Sequence, residues 1–352
     1  MKFIPLNPSL AGQWDQVVRH SDDAWVFHLY DWLPLTEKNW DLEPKSFLVE
    51  YEGKIVAVFP LQLNKRSKSL KSTYMGLGGA ALINGLQQGV RKKIMKAMHE
   101  QVRLIASESK SPFIEVLLSP LSESSLQNQW QVNPLVQYGY EDSSSHTFMV
   151  DLKLSQEEIF NNYSHDAKRE IKIATEKGFT VEALGAISEM EQFYEAHCEN
   201  RKRTGVEAHP KDFFVDFYNQ YYRKGSAMII QAKDPAGQAI AFEVTGFFKK
   251  GALYWMGCCK TEFLDTGVNC LLQYHSMRWA KDQGAQWFEN GEAFPNVQEG
   301  KLHGLTVFKG KFGGQLHRLF KGRIALNNPG RLKRITDTLT GTFDLLKGMG
   351  RK

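Results

Sequence analysis

Cationic and aromatic side chains alternate with glycine near the carboxyl end of the sequence. Phe308, Lys309, Lys311 and Phe312 fall within the segment FKGKFGG at residues 308–314. A lysine ammonium beside apolar rings stabilises an oxyanion or clamps a phosphate, because its charge is weakly screened there. We take Lys309 as a catalytic candidate, and Phe308 and Lys311 as candidate donor-binding residues. The alternative interpretation is a basic turn between two strands.

Two carboxylates are the leading candidates for a general base. Glu243 lies inside an otherwise apolar strand, where an ionisable side chain needs a reason, and Glu289 ends a predicted strand next to Asn290-Gly291. A base within hydrogen-bond reach of an amine accepts its proton during acyl transfer. Both are therefore catalytic candidates, and a core salt bridge is the alternative for each.

Five further residues are candidates for binding substrate or donor. Lys168 and Arg169 are adjacent cations at the start of a predicted helix. The helix dipole disfavours them there, which indicates either an external anionic partner or a solvated face. Tyr254 and Trp255 alternate on a predicted strand, so that one faces a groove while the other packs. Asn269 is either an amide lining the site or a first-turn polar residue.

The elements that must position these residues occur twice along the chain, as periodic apolar patterns and turn residues indicate. The first copy consists of strands at 47–51, 55–63 and 71–77, a helix at 86–107 and a strand at 113–118. The second consists of strands at 227–232, 239–248 and 252–257, a helix at 267–283 and a strand at 286–290. Between them we expect helices at 163–177, 188–204 and 210–224, and a capping box at Ser155 and Glu158.

Bulk composition limits the class of protein. The 352 residues are 42% apolar and 24% charged, which excludes a disordered or collagen-like chain and suits two domains. No apolar run approaches the roughly 18 residues of a membrane span, and the first seven residues lack the apolar core of a signal peptide. The four cysteines have no zinc-binding spacing. We expect a cytoplasmic protein without a metal site.

The charge is concentrated at the carboxyl end. The last 52 residues contain 12 lysines and arginines but two acidic residues, within a net charge of +5 for the chain. This excess suits a polyanion such as pyrophosphate, a nucleotide or RNA, or it is a solvated tail. A basic amphipathic helix predicted at 331–347 packs on the protein itself or lies on an anionic membrane surface.

Three segments carry a resemblance to a known family. They are Val150-Asp151-Leu152 with the run from Ser164 to Gly178, the helix from Gly267 to Gly284, and the segment 308–314. They are similar to the entry helix, the helix after the third strand and the closing FKxxFGG of Fem-type aminoacyl transferases and of double-GNAT acetyltransferases related to CelD proteins. The resemblance covers about residues 147–326, and the first half matches by topology. The long coiled-coil arm of some Fem members and the (R/Q)xxGx(G/A) loop of single-domain GNATs are not visible.

The resemblance implies an α/β (α+β) fold of two tandem GNAT domains, each a mixed central sheet flanked by helices. The expected divisions are 1–150 for the N-terminal domain, 151–326 for the domain with the active site and 327–352 for the basic helix. In such domains the third strand is splayed and exposes backbone N–H groups to the donor, and the next helix presents its N-terminus to phosphate. Here these elements are residues 254–259 and the helix that opens at Gly267.

The implied function is acyl transfer to an amine or hydroxyl of a sugar, a cell-envelope precursor or an amino-acid-like acceptor. Acyl-CoA is the expected co-substrate, with no bound cofactor. The close alternative is aminoacyl-tRNA-dependent transfer. An alternative of another class is a non-catalytic polyanion-binding protein on a degenerate GNAT scaffold.

Overall fold

A computed structural model of the protein describes residues 1–128 and 130–326. The predicted segment 327–352, with its basic helix, lies outside the described residues. By density of contacts the described chain forms two units, unit 1 with residues 1–145 and 318–326, and unit 2 with residues 146–317. No described helix is both long and apolar enough to cross a membrane.

The elements alternate between short strands and helices over the first 145 residues. The strands are β1 (Lys2–Pro5), β2 (Leu42–Pro44), β3 (Phe47–Tyr51), β4 (Lys54–Phe59), β5 (Gln62–Asn64), β6 (Leu70–Lys71), β7 (Ala81–Leu82), β8 (Phe113–Leu117) and β9 (Glu141–Asp142). The α-helices are α1 (Ala11–Arg19), α2 (Trp32–Asn39), α3 (Gln88–Glu108) and α4 (Glu123–Asn128).

Longer strands and more helices follow. The strands are β10 (Ser145–Asp151), β11 (Thr180–Ala183), β12 (Ala227–Lys233), β13 (Ala239–Phe248), β14 (Gly251–Cys259), β15 (Trp287–Ala293), β16 (Gln315–Leu319) and β17 (Lys321–Ala325). The α-helices are α5 (Gln156–Asn161), α6 (His165–Glu176), α7 (Met190–Thr204), α8 (Lys211–Phe217), α9 (Val268–Asp282) and α10 (Gly300–Gly310). The predicted capping box opens α5, with Ser155 and Glu158 bonded reciprocally.

Unit 1 contains two sheets, of strand order β1-β3-β4-β7 and β2-β5-β6-β8-β17-β9. The strand predicted at 55–63 is wrong in one respect, since β4 and β5 belong to different sheets. Pro60 lies between them and cannot donate a ladder hydrogen bond. The strand predicted at 71–77 is reduced to the two residues of β6. The helix α3 packs Ile94, Met98 and Val102 into the core, as its spacing predicts.

The strand β17 completes the larger sheet of unit 1. It pairs antiparallel with β8 on one side and with β9 on the other. Residues 318–326, predicted to lie in the second domain, therefore pack with the first. No periodic signal in the sequence distinguishes this strand from its neighbour β16.

Unit 2 is built on a seven-stranded sheet of order β11-β12-β13-β14-β15-β10-β16. Helices cover both faces of the sheet. On one face, Ala241 packs with Val268 and Leu272 of α9. On the other, Phe242 stacks on Phe193 of α7 at 5.0 Å between ring centroids. Because neighbouring residues of a strand point to opposite faces, this pair fixes which face each residue of β13 occupies.

Two predicted elements of unit 2 differ from the structure. The helix predicted at 210–224 is α8 followed by a π-helical turn at Tyr218–Tyr222. The glycine spacing of the segment 308–314 predicts a loop, which is wrong for residues 308–310, because they form the last turn of α10. The glycines at 310, 313 and 314 suggest a turn, but glycine is also common where a helix ends.

Candidate active site

The strands β14 and β15 are parallel neighbours that separate part of the way along their length. They pair at Gly251 with Trp287, at Ala252 with Phe288 and at Leu253 with Glu289. No further pair of described residues joins them, although β14 continues to Cys259 and β15 to Ala293. The later residues of β14 pair with β13, and no described pairing joins them to β15. A strand edge without such pairing can hold an extended substrate by main-chain hydrogen bonds.

A bulge in β14 lies where the two strands separate. Its pairing with β13 shifts between Met256 and Tyr254, so that Trp255 is the extra residue. The Trp255 ring packs against Phe217 and Tyr221, 4.7 and 5.5 Å away between centroids. A bulge bends a strand and increases its twist, which directs β14 away from its parallel neighbour. Of the two aromatic candidates, Trp255 is therefore the one that packs against the helices.

Tyr254 is half-buried and folds back along its own strand. Its hydroxyl lies over Gly257, where any Cβ would overlap it. Burial raises the pKa of this phenol well above its usual value. Tyr254 thus stays neutral at the opening between the strands.

Lys309 extends from the last turn of α10 to the point where β14 and β15 separate. Its Nζ donates a hydrogen bond to the carbonyl of Glu292, 2.7 Å away. A Cβ on Gly291 would stand 2.9 Å from the same Nζ and 3.8 Å from the carbonyl oxygen of Tyr254. Gly291 also has φ +79°, a conformation that favours glycine. The ammonium therefore lies against the bare backbone of β15, facing β14.

Glu289 is buried next to this ammonium, with 2% of its surface exposed. The Thr147 hydroxyl and the Gly291 backbone N–H donate hydrogen bonds to its carboxyl group. Burial raises the pKa of Glu289, while Thr147 and the charge of Lys309 oppose the rise. Burial likewise lowers the pKa of Lys309 against the pull of Glu289 and Glu292. Glu289 is inside β15 rather than at its end, because the strand continues to Ala293.

Asn290 ties three elements together beneath the site. Its Oδ1 accepts a hydrogen bond from Gln273 Nε2 of α9 at 3.0 Å, and its Nδ2 donates to the Lys309 carbonyl at 3.1 Å. Both side chains are buried, with about 1% of their surfaces exposed. These two hydrogen bonds therefore fix the positions of β15, α9 and the end of α10 relative to one another around Lys309.

Glu243 lies on the opposite face of the sheet from Glu289. Its neighbour in α9 is Ser276, on the face towards which Asn290 points, and Glu289 alternates with Asn290. Burial raises the pKa of Glu243 to about 8, so this carboxyl group is mostly protonated at neutral pH. The structure thus brings Glu289, but not Glu243, to Lys309.

The other cations predicted for the site have internal partners. Lys311 forms an ion pair of 2.7 Å with Glu170 of α6, whose second oxygen accepts from the Cys270 thiol at 2.9 Å. Lys168 donates to the Asn161 carbonyl at 2.8 Å, and exposed Arg169 pairs with Asp166 at 3.2 Å. Their predicted binding roles stay predictions.

Two other predicted binding residues lie near helix ends. Asn269 is half-buried in the first turn of α9, immediately after Val268. Phe308 is half-buried beside Phe312, with ring centroids 5.3 Å apart, and precedes Lys309 in α10. Only Phe308 is therefore adjacent in sequence to the Lys309 site.

Unit 1 has a corresponding parallel pair, but its strands do not open in the same way. The strands β6 and β8 pair at Leu70 with Ile114 and at Lys71 with Glu115. The next residue, Ser72, donates to the Gly78 carbonyl at 2.6 Å and accepts from the Leu117 N–H at 3.2 Å. In unit 1, this side chain and the loop it holds occupy the position that corresponds to the place where β14 and β15 separate in unit 2.

Unit 1 does contain a cavity of about 260 Å³ beside α3. Among the residues that line it are Asp23, Arg91, His99 and Tyr138. Asp23 and Arg91 neutralise each other in a close ion pair, and burial lowers the pKa of His99 to about 3. The cavity suits a small polar molecule, but its lining contains no lysine and carboxylate arranged like Lys309 and Glu289 in unit 2. We therefore place the candidate chemistry in unit 2.

A comparison with known families gives a match within unit 2. Residues 161–295 match the family model described as acetyltransferase (GNAT) domain. The matched residues contain the separated strands and Glu289, but end before Lys309. Among curated proteins, none matches the sequence.

Several solved structures share the fold over nearly the whole chain. FemX aligns with a TM-score of 0.69 at 16% identity, over 95% of this chain and 99% of that one. L-PGS from Bacillus licheniformis aligns at 0.60 and 12%, over 99% of each chain. A tandem GNAT protein from the clavulanic acid biosynthesis pathway aligns at 0.57 and 11%, over 93% and 99%. The predicted fold of two tandem GNAT units is confirmed, and the residues that match the GNAT acetyltransferase domain model lie in the second.

Sequence reasoning missed the residues that support the site. Thr147 contacts Glu289, Gly291 contacts Lys309, and Gln273 bonds to Asn290 beneath them, yet none belongs to a recognisable motif. In the sequence, Gly291 is notable only as part of the Asn290-Gly291 pair that follows Glu289. A polar residue at a core position of a helix, such as Gln273, is the one signal that was available.

Proposed function

We propose that the protein is an acyltransferase that moves an acyl group from acyl-CoA to an amine or hydroxyl in the opening between β14 and β15. The observation that carries this proposal is the Lys309 ammonium at the point where two parallel strands separate. There the ammonium lies beside a buried carboxyl group and a strand edge with no described pairing. Both parts that acyl transfer needs, a cation for the oxyanion and a base for the proton, are within one small site.

The proposed reaction forms one bond and breaks one. The acceptor nitrogen or oxygen attacks the thioester carbonyl, and its proton passes to the Glu289 carboxylate. The carbonyl oxygen gains negative charge, which the Lys309 ammonium stabilises. The C–S bond then breaks, and coenzyme A leaves as the thiol after taking up a proton.

The environment suits each residue to its role. Burial raises the pKa of Glu289, which makes its carboxylate a stronger base than an exposed glutamate. The Lys309 ammonium is fixed by the Glu292 carbonyl, so it needs little reorganisation when charge develops. Phe308 and Lys311 remain proposed donor-binding residues, although Lys311 would have to leave Glu170 to contact a phosphate.

A second candidate donor is aminoacyl-tRNA. Similarity to the fold of FemX over 95% of the chain and the Fem-like sequence segments favour it. The proposed acceptor class is a sugar, a cell-envelope precursor or an amino acid derivative. The proposed compartment is the cytoplasm, where both donors are made.

Binding measurements separate the two donors. We expect acetyl-CoA to raise the melting temperature of the protein, because a ligand of the native state stabilises it. Retention of labelled aminoacyl-tRNA on a filter, without any effect of acetyl-CoA, would support the second donor instead. If neither ligand binds at micromolar protein, both versions of the proposal fail.

The catalytic role of Lys309 is tested with a matched pair of variants. Lys309→Met should lower kcat by about 100- to 1000-fold, as the loss of one oxyanion donor does. Lys301→Met removes a lysine at the other end of α10, which donates to the Thr204 carbonyl at 3.0 Å, so it should leave kcat within about threefold. Unchanged turnover in Lys309→Met would favour the non-catalytic, polyanion-binding alternative.

A further inference from the structure

Arg201 is a partly buried cation without a partner among the described carboxylates. It lies in the last turn of α7, half-buried, and none of the described carboxylates forms an ion pair with it. Its Nε is buried and has no hydrogen-bond partner. Burial lowers the pKa of this guanidinium, yet an arginine stays charged at any physiological pH. Among the described residues, no carboxylate therefore offsets this positive charge.

Two histidines surround this guanidinium, and both are neutral. The Arg201 Nη2 lies 3.1 Å from His209 Nε2, and because arginine only donates, this nitrogen accepts and the His209 proton is on Nδ1. His197 Nε2 accepts from the His209 backbone N–H at 3.1 Å. Burial and the charge of Arg201 lower the pKa of His209 to about 3 and that of His197 to about 4. Neither ring adds or removes charge at neutral pH.

Two ionisable groups of the separated strand β14 are close enough to respond to the charge of Arg201. Its charge lowers the pKa of Tyr254 and of Cys258, while burial raises both far more. Both groups are therefore neutral as well. The charge of Arg201 therefore acts on the part of β14 for which no described pairing with β15 is found.

The dipole of α7 does not explain this arrangement. A helix C-terminus favours a cation, but the effect operates at an exposed position too. Arg203, in the same turn, keeps its guanidinium bonded to Asn200, Thr261 and the Cys259 carbonyl. Burial of an unpaired charge is expensive, and it persists where a ligand supplies the opposite charge.

We infer that Arg201 is a binding residue for an anionic group, a phosphate or a carboxylate, of a ligand in the groove beside β14. The planar guanidinium suits either anion, because both accept two parallel hydrogen bonds from it. The anion belongs to the donor or to the acceptor of the proposed reaction. In naming a substrate group the inference rests on the proposed function, but anion binding itself can be measured without turnover.

The test uses inorganic pyrophosphate and the full-length protein, in titration calorimetry and thermal melts. Arg201→Met should weaken pyrophosphate binding by about 10- to 100-fold, as the loss of a charged hydrogen bond does. It should also raise the melting temperature of the free protein by about 2–4 °C, because a partly buried charge without a described carboxylate partner is removed. The control Arg203→Met should lower the melting temperature of the free protein and leave its affinity for pyrophosphate unchanged. Arg201→Lys, which keeps the charge but not the planar geometry, should bind with intermediate affinity.

The outcomes separate the sources of the anion. If Arg201→Met weakens the binding of both acetyl-CoA and pyrophosphate, the anion is a phosphate of the donor. If it weakens the binding of pyrophosphate alone, the anion belongs to the acceptor. The inference is overturned if the wild-type protein does not bind pyrophosphate at millimolar concentration, or if the Arg201 and Arg203 variants bind it equally. Binding that depends on Arg201 in a protein without acyl transfer would leave this site standing and remove the proposed function.

Discussion

At the scale of single residues, the site depends on a carboxyl group and an ammonium that shift each other's ionisation. Glu289 is harder to ionise than an ordinary glutamate because it is buried, and Lys309 loses its proton more readily than an ordinary lysine for the same reason. Both shifts narrow the pH range in which a base and a cation coexist. Turnover should therefore be highest at pH values where Glu289 is ionised and Lys309 is protonated.

The first prediction is a bell-shaped pH dependence of kcat/KM. The rate should rise with pH as Glu289 deprotonates, at a pKa above the ordinary 4.5, and fall as Lys309 deprotonates, at a pKa below the ordinary 10.5. Glu289→Gln should remove the acidic limb and lower the rate about 100-fold or more. A Glu289→Gln enzyme that retains the acidic limb would exclude this residue as the base. Glu243→Gln provides the comparison on the other face of the sheet.

The second prediction concerns Gly291, which leaves room for the Lys309 ammonium. Gly291→Ala should lower kcat at least tenfold, because the new Cβ would stand 2.9 Å from Nζ. Gly284→Ala is a matched control, with a similar φ of +87° and no atom within 4 Å. Both variants should lose about 1 kcal/mol of stability from backbone strain, and steady-state kinetics should separate them. Equal activity in the two would show that the ammonium is not confined there.

At the scale of elements, β15 matters because it connects two helices to the opening. Pairing with β14 positions Glu289, and the next residue, Asn290, joins Gln273 of α9 to the last turn of α10. A buried amide with both ends bonded transmits position more firmly than an apolar contact does. The hydrogen bond from Asn290 to the backbone carbonyl of Lys309 therefore positions the lysine.

The third prediction tests this connection with a double-mutant cycle. Asn290→Ala should cost about 1–3 kcal/mol, because it leaves buried polar groups of Gln273 and Lys309 without partners. Gln273→Ala should cost less once Asn290 is gone, with a coupling of about 0.5–3 kcal/mol. Urea unfolding of the four proteins measures the cycle. Strict additivity would mean that the two amides do not act together.

At the scale of the whole molecule, the chain returns to unit 1 after it completes unit 2. The strand β17 lies between β8 and β9, so the sheet of unit 1 is completed only by residues far along the sequence. Such long-range pairing forms late in folding, because the intervening loop must close first. The order of the chain thus couples completion of unit 1 to synthesis of unit 2.

The fourth prediction follows from this connectivity. A chain that ends at Phe320 should lose hydrogen-exchange protection in β8, because β17 supplies its antiparallel partner. A chain that ends at Leu326 keeps β17 and should retain that protection. Mass spectrometry of peptides from residues 113–117 reports the difference. Equal protection in both chains would show that β8 does not depend on β17.

Local patterns determined which elements form in the second half of the chain. The strands β12, β13 and β14 and the helices α6, α7 and α9 follow from apolar periodicity, because each buries a face of constant spacing. The repeated order of elements predicted two similar units, and the resemblance to double-GNAT proteins implied their fold. Lys309 and Glu289 were identified by residue type and position near turns.

Tertiary structure alone decided how these pieces form a site. The pairing of β14 with β15 stops after three residues, and the sequence of neither strand records where the other ends. The register of the strands decides that Glu243 and Glu289 lie on opposite faces of the sheet. The absence of a described carboxylate beside Arg201 depends on which side chains pack around it. The position of β17 depends on β8, a strand about 200 residues earlier in the chain. Periodicity reports only which residues a segment buries, whereas these features depend on contacts between segments distant in sequence.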